Sequence, residues 1–396
     1  MNLNIAHHRM TVNPFAQFLA GVMIIASLTL VSAVPAHAVD PIGTATGTQI
    51  SCTGGISGGV CYRVTISGCA GGTFYAGAKI NNPPQGETAI GAVILTTGGG
   101  GNTWYDNDPL FMIPSNCSGN CGMQTVLDLN NAKYYTIQTN FSDPSNPVGG
   151  TGVLDGWLTG STTSQIGARE LACRYATMAN WIWTSVLGGG ENRPVCATGN
   201  SAGSAAIAYA ISQYGLGTWS PGPAFRTVEL TSGPPLSRLD YGCLSGPDAP
   251  TYNTECFSGQ HTLSVGLAND QNIIDPSYDG DNDVSRKCTS MNWQTCLGTY
   301  DYCARSYYSG ITSGTPLWDD SILSDIDPPT LSYPNTTVRS LFGGQDKSGA
   351  AAQGQEYYDQ ITTTKSEFCV QTAYHPLPGY TYGEQQIVTD LENNCK

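Results

Sequence analysis

Residues 91–97, Gly-Ala-Val-Ile-Leu-Thr-Thr, form an unbroken apolar run. Such a run marks a strand covered on both faces, as in a parallel sheet. Residues 60–68 alternate apolar and polar positions and predict a half-buried strand. Residues 134–141, 194–198 and 225–231 predict three more strands. From 166 to 187 the spacing of Leu171, Tyr175, Met178 and Ile182 predicts a helix with one apolar face. An Ala-rich stretch over 202–214 predicts a second helix. Toward the C-terminus the pattern reads strand 337–342, helix 350–361, strand 367–373 and helix 382–391. Alternating strands and helices predict an α/β architecture, a mostly parallel sheet with helices on both faces. The interval from about 236 to 335 breaks this rhythm. It carries five cysteines, many Asp, Tyr, Gly and Pro residues and no clear period. It reads as a disulfide-rich insertion that forms a cap, the alternative being an excursion away from any site.

The start of the chain changes the picture of where the protein works. Residues 1–38 have the layout of a secretory signal: Arg9 before an apolar run, 19–31, and Ala36-His37-Ala38 as a small-x-small cleavage site. The run is short for a membrane span. Residues 39–396 then form the mature catalytic domain, exported to an extracellular or periplasmic space and free of the membrane after cleavage. All 14 cysteines lie after the leader, without paired C-x-x-C ligand spacing. An even number in an exported chain predicts disulfides rather than a zinc site, and no metal or cofactor is expected. The leader holds one of the 16 basic residues and none of the 30 acidic ones, which leaves 15 against 30 and a net charge of −15. That balance argues against nucleic acid, anionic membranes and polyanionic substrates. Nothing in the sequence fixes the oligomeric state.

The chemistry centres on Gly199-Asn200-Ser201-Ala202-Gly203, a G-x-S-x-G sequence between a predicted strand and a predicted helix. A serine on such a sharp turn projects its hydroxyl outward, and small neighbours let strand and helix approach closely. A serine nucleophile needs a base. Of the five histidines, His7, His8 and His37 leave with the leader, so only His261 and His375 remain. His375 has the better context, in a Pro-stiffened loop just past the last strand, at the sheet edge where the serine turn lies. His261 falls inside the irregular insertion. The acid that orients the base is read as Asp346, which follows strand 337–342 and Gly343-Gly344. A helix N-cap is the competing role for Asp346, and Asp325 and Asp327 are fallbacks. Gly98-Gly99-Gly100-Gly101 follows the buried strand 91–97 and offers backbone N–H groups to an oxyanion. Gly100 and Gly101 are the expected donors, with the N–H of Ala202 as their partner. Trp104 and Tyr105 are candidate walls of a substrate pocket. Trp157, Trp181, Trp183 and Trp219 read as core. Asp279, Asp281 and Asp283 suggest a weak calcium loop against a solvated turn. Asn116, Asn140 and Asn335 fit N-x-S/T.

These elements occur in the order Gly98–Gly101, Gly199–Gly203, Asp346, His375. In that order the chain resembles the α/β-hydrolase superfamily over roughly residues 60–395, though Thr97 stands where lipases and esterases carry a histidine. The resemblance implies a secreted serine esterase without a cofactor. Ser201 would be the nucleophile, His375 the base and Asp346 its orienting acid, acting on a neutral ester, polymeric and plant-derived esters included. A serine peptidase of the same fold and a catalytically silent binding protein are the alternatives.

Overall fold

The apolar run at 91–97 becomes the centre of the molecule, a strand whose six residues are all buried. In the computed structural model the described residues are 39–113, 117–145, 156–160, 166–189, 193–217, 225–244, 249–253, 256, 259–264, 274, 277–278, 316–324 and 331–396. Their strands are β1 (Thr44–Ile50), β2 (Val60–Ser67), β3 (Phe74–Asn81), β4 (Gly91–Thr96), β5 (Tyr134–Asn140), β6 (Val195–Asn200), β7 (Thr227–Thr231), β8 (Thr251–Asn253), β9 (Gln260–Thr262), β10 (Thr337–Gly343) and β11 (Lys365–Val370). Their α-helices are α1 (Cys121–Asn131), α2 (Ala168–Trp181), α3 (Ala202–Ser212), α4 (Leu239–Gly242), α5 (Pro316–Asp319), α6 (Gly349–Gln360) and α7 (Thr381–Asn394).

Nine strands make one sheet in the order β1-β2-β3-β5-β4-β6-β7-β10-β11. From β5 to β11 every neighbouring pair is parallel. From β1 to β5 every pair is antiparallel. Apolar side chains of α2 and α3, among them Tyr175, Met178, Ile207 and Tyr209, fill the core on one face. Val126 and Leu129 of α1 and Ile387 and Leu391 of α7 fill it on the other. This is the mostly parallel α/β sheet with helices on both faces that the apolar pattern predicts.

Most predicted elements shift by only a residue or three. One shift matters for the site: the last strand ends at Val370 rather than 373, so His375 stands five residues beyond it. The predicted helix 166–187 is α-helical to Trp181 and continues as one π-turn, Ile182–Val186. Trp157 and Trp181 are core side chains. β1, β3, α1 and the hairpin β8–β9 are additional elements. β1 is polar and mostly exposed at the sheet edge, so its sequence carries no burial pattern. β3 carries Lys79 inside the protein, where its ammonium reaches the Asp106 carboxylate at 2.7 Å with both side chains fully buried. A buried ion pair hides a strand from a hydrophobicity pattern.

Disulfides link Cys52–Cys61, Cys69–Cys173, Cys117–Cys121, Cys196–Cys395 and Cys256–Cys369. Cys243 is also disulfide-bonded, and no described cysteine is free. Cys288, Cys296, Cys303, Trp219, Asn116, Asp325, Asp327 and the Asp279–Asp283 loop lie outside the described residues, as do residues 1–38 and most of the 236–335 insertion. No described helix is long and apolar enough to cross a membrane. Of the glycosylation sequons, Asn140 is buried in β5 and its side chain accepts from the Ser142 hydroxyl at 2.7 Å. That leaves Asn335 as an exposed one.

A polar row crosses the sheet under α7. Thr198, Glu229, Arg339 and Ser366 are direct partners on four successive strands, which places them on one face. Arg339 pairs with Asp390 of α7 at 2.6 Å. Glu229 is fully buried and neither carboxylate oxygen has a hydrogen-bond partner. Burial, helped by Asp390 and opposed by Arg339, holds its pKa well above the ordinary carboxyl range. Glu384 of α7 is pushed up to about 8, chiefly by burial and then by Asp128. Both groups are therefore protonated in the folded protein where they would ionise in the unfolded chain. Their contribution to stability is full below the unfolded carboxyl pKa of about 4.3 and is lost as pH rises through the folded values. Thermal unfolding should thus shift to lower temperature between about pH 5 and 8. The Glu229→Gln, Glu384→Gln double variant should flatten that dependence, and an unaltered slope would refute the assignment.

Candidate active site

The G-x-S-x-G segment forms a strand–serine–helix turn. β6 ends at Asn200, α3 begins at Ala202, and Ser201 between them has φ 52° and ψ −123°. A positive φ on a non-glycine residue costs of order 1–3 kcal/mol and persists only where the surroundings enforce it. The enforcement is visible. The Ser201 N–H donates to the Thr231 carbonyl at 2.8 Å, and its own carbonyl accepts from the N–H groups of Ser204 and Ala205. The Ser204 hydroxyl donates to the same carbonyl at 2.5 Å. The two glycines are required by close approach. A Cβ on Gly199 would lie 2.6 Å from the carbonyl carbon of Gly203, and one on Gly203 would lie 2.4 Å from the Thr97 carbonyl oxygen. Ser201 is 6 % exposed, at the C-terminal end of the parallel strands.

Two loops meet at the same edge, after β10 and β11. They are laced together: the Gln345 N–H donates to the Ala373 carbonyl at 2.9 Å. A Cβ on Gly343 would lie 2.5 Å from that carbonyl oxygen, so the Gly-Gly bend admits the approach. The result brings His375 Nδ1 to 2.9 Å from Asp346 Oδ2. The Asp346 side chain is 1 % exposed and that of His375 34 %, so a buried carboxylate holds a partly open imidazole. Asp346 also serves the following helix, because its Oδ1 accepts the Ser348 N–H at 2.9 Å. The capping role and the imidazole contact thus fall on the two oxygens of one carboxylate.

Ser348 is a residue that sequence reasoning missed. It occupies the N-cap of α6, yet its hydroxyl makes no cap bond. N-cap serines ordinarily spend that oxygen on a backbone N–H of the first turn. Here Oγ sits 3.1 Å from His375 Nδ1. A cap residue without a cap bond, two positions after an acid, is the signal, and it appears only in three dimensions. With Nδ1 protonated, its hydrogen lies within reach of both Asp346 Oδ2 and Ser348 Oγ, which together orient the ring. Ser348→Ala should lower kcat by roughly tenfold, the scale of one hydrogen bond to a charged group, with KM little changed. A fall in KM-determined binding alone, or no change in the pH profile, would assign Ser348 a structural role only.

The glycine quartet departs from expectation. The Gly101 N–H closes a turn on the Gly98 carbonyl at 3.0 Å, and the Gly101 carbonyl accepts from Phe141 at 2.7 Å. The Gly100 carbonyl accepts from Trp157 at 2.9 Å. The Gly101 N–H is therefore engaged within the loop, whereas the bond at Gly100 uses only its carbonyl. The member that abuts Ser201 is Gly98, where an added Cβ would lie 3.5 Å from Ser201 Cβ. Gly99, at φ 57°, is the next residue in that turn. Ala202 opens α3, so its N–H is one of the helix donors without an intrahelical acceptor.

The aromatic wall also differs. Tyr105 is fully buried, its ring 4.9 Å from that of Phe111, in the core beneath α1. It is a packing residue, not a pocket wall. Trp104 is 6 % exposed and lies on β3, where Gly77 leaves it room: a Cβ there would be 2.7 Å from the indole. Both side chains are drawn inward because residues 105–107 form a short 3-10 turn that anchors α1.

His261, the other histidine after residue 38, is paired with Tyr252 in the hairpin β8–β9. The hairpin is tied to α6 through Tyr252 and Asp359. Burial lowers the His261 pKa while the Asp346 charge raises it, so this imidazole lies within the electrostatic reach of the acid.

No protein-family description and no curated protein sequence matches the chain. Among solved structures it is similar to Est1E from Butyrivibrio proteoclasticus, with 8% identity, TM-score 0.41, and coverage of 88% of this chain and 96% of that one. It is similar to acetyl xylan esterase 1 from Thermoanaerobacterium sp. JW/SL YS485, with 13% identity, TM-score 0.43 and coverage of 89% of both chains. It is also similar to an acetyl xylan esterase from Paenibacillus sp. R4, with 13% identity, TM-score 0.45, and coverage of 98% of this chain and 96% of that one. The fold rests on the chain's own topology: a strained serine between a central parallel strand and its helix, with a carboxylate and then a histidine following later strands of the same sheet. That is the α/β-hydrolase fold.

Proposed function

We propose that this protein is an exported serine hydrolase that cleaves neutral carboxylic esters through an acyl-enzyme. One observation carries the reading. Ser201 is held at a positive φ between β6 and α3, at the sheet edge that also carries the His375–Asp346 pair. In the first step, Ser201 Oγ bonds to the acyl carbon while its proton passes to His375 Nε2. Asp346 stabilises the imidazolium that forms. The carbonyl oxygen takes the negative charge and meets the N–H groups of Ala202 and of the glycine turn at Gly98–Gly100, while the Gly101 N–H stays on the Gly98 carbonyl. Collapse breaks the ester C–O bond, and the His375 proton goes to the leaving alcohol. Water then attacks the acyl-enzyme by the reverse sequence and restores Ser201.

The leader and the disulfides support export, since disulfides persist in oxidising compartments. The acidic balance of the chain supports a neutral substrate. A panel of p-nitrophenyl esters of graded chain length, run beside peptide amides, tests the reaction class. Ester turnover without amide turnover is the expected result. Amide turnover at comparable kcat/KM would make the protein a peptidase, and no turnover of either would leave a binding protein.

A further inference from the structure

Four aromatic side chains are strongly exposed among the described residues, and three of them, Phe368, Tyr374 and Tyr382, fall within fifteen positions near the C-terminus. Phe368 and Tyr382 line one cleft of about 470 Å³ between the edge strand β11 and helix α7. Phe368 is there because it pairs with Leu341 and so shares the α7 face of the sheet, but at the last strand, where no further strand covers it. Tyr382 stands in the first turn of α7 and is 69 % exposed. An exposed aromatic pair facing one cleft is costly to leave in water without an occupant.

The rest of the lining says what kind of occupant. Between and beside the rings lie Gln371, Gln385, Gln386 and Thr389. No lining residue carries a formal charge, although the chain as a whole is strongly acidic. Aromatic faces offer flat apolar contact, and primary amides and hydroxyls both donate and accept hydrogen bonds. A pyranose ring presents the same two characters, an apolar face of C–H groups and a rim of hydroxyls. A lipid would leave the amides unpaired, and a charged polymer would find no counter-charge. The cleft wall is also rigid, because Cys369 beside Phe368 is bonded to Cys256. A preformed wall reduces the ordering cost of binding.

We infer that the β11–α7 cleft is a binding site for a neutral glycan chain. Its position gives the binding a use. Val370, Gln371 and Thr372 of the lining lead within a few residues to Tyr374 and His375. Tyr374 is 54 % exposed and stacks toward Tyr380 at 6.2 Å between ring centroids, which extends the aromatic surface toward His375. A glycan lying in the cleft would therefore present its ester substituents beside the catalytic edge. This use rests on the proposed esterase reading, whereas the binding itself does not.

The test separates the two. Affinity electrophoresis and calorimetry are run on the Ser201→Ala protein with three neutral polymers: arabinoxylan, a β-mannan and hydroxyethyl cellulose. Retardation by at least one of them, lost at least tenfold in the Phe368→Ala, Tyr382→Ala double variant, is the expected result. The same double variant with Ser201 intact should hydrolyse p-nitrophenyl acetate normally, because neither ring belongs to the proposed catalytic set and this small ester has no glycan to dock. No retardation by any of the three polymers, or retardation unchanged by the double substitution, overturns the proposal. So does a wild-type dimer in solution that the double variant turns into monomer without any glycan binding, since the rings would then be covered by a second copy of the chain. Loss of ester turnover in the parent protein with glycan binding retained would refute the esterase reading and leave the glycan site standing.

Discussion

Replacing His375 with alanine should lower kcat on a p-nitrophenyl ester by roughly 10⁶-fold, the scale seen when a serine hydrolase loses its base. Replacing His261 should leave most of the activity. The contrast follows from where the two rings stand. His375 Nδ1 is 2.9 Å from Asp346 Oδ2 and 3.1 Å from Ser348 Oγ, so its other nitrogen is left for the substrate side. His261 is held in the β8–β9 hairpin, where the Asp346 charge raises its pKa against burial. Asp346→Asn should cost roughly 10⁴-fold, because an amide at that place favours the wrong tautomer. The protein should still fold, since the Ser348 N–H would keep an acceptor in the asparagine oxygen. Circular dichroism of each variant separates lost chemistry from lost structure. If His261→Ala is the inactive one, the base has been assigned to the wrong histidine.

Ser201→Ala should lower kcat by a comparable roughly 10⁶-fold factor, and it should not destabilise the protein. The side chain contributes no cap bond to α3, and the contacts that hold the turn are made by the Ser201 backbone. Glycine at 201 should go further and stabilise the fold, because it removes the cost of a positive φ on a residue with a Cβ. An inactive protein with raised Tm would locate the strain at the nucleophile. Loss of activity together with loss of fold would instead make Ser201 a structural residue.

Much of this arrangement is legible in the sequence because it depends on local rules. β4 shows as an apolar run since both its faces are covered. The strand–serine–helix turn shows as Gly199 and Gly203 since no other residue fits the approach of β6 to α3. The histidine question narrows to two residues because the other three lie in the segment read as a leader. What escapes the sequence depends on partners distant along the chain. Lys79 in β3 looks like a surface residue until Asp106 reaches it inside the protein. Tyr105 looks like a pocket aromatic until the turn at 105–107 directs it under α1. Gly98 and Gly101 are indistinguishable as letters, and only the approach of Gly98 to the Ser201 side chain shows which end of the quartet faces Ser201. Ser348 carries no signal in the sequence, because its contact with His375 joins positions 27 residues apart.

The central claim is that Ser201 is a nucleophile activated by His375, and covalent labelling addresses it most directly. The protein is treated with a serine-directed fluorophosphonate, digested, and the modified peptide is mapped by mass spectrometry. A single label on Ser201, abolished in His375→Ala and retained in His261→Ala, is the predicted result. A label on a different serine, or an unlabelled protein that still hydrolyses esters, would contradict it.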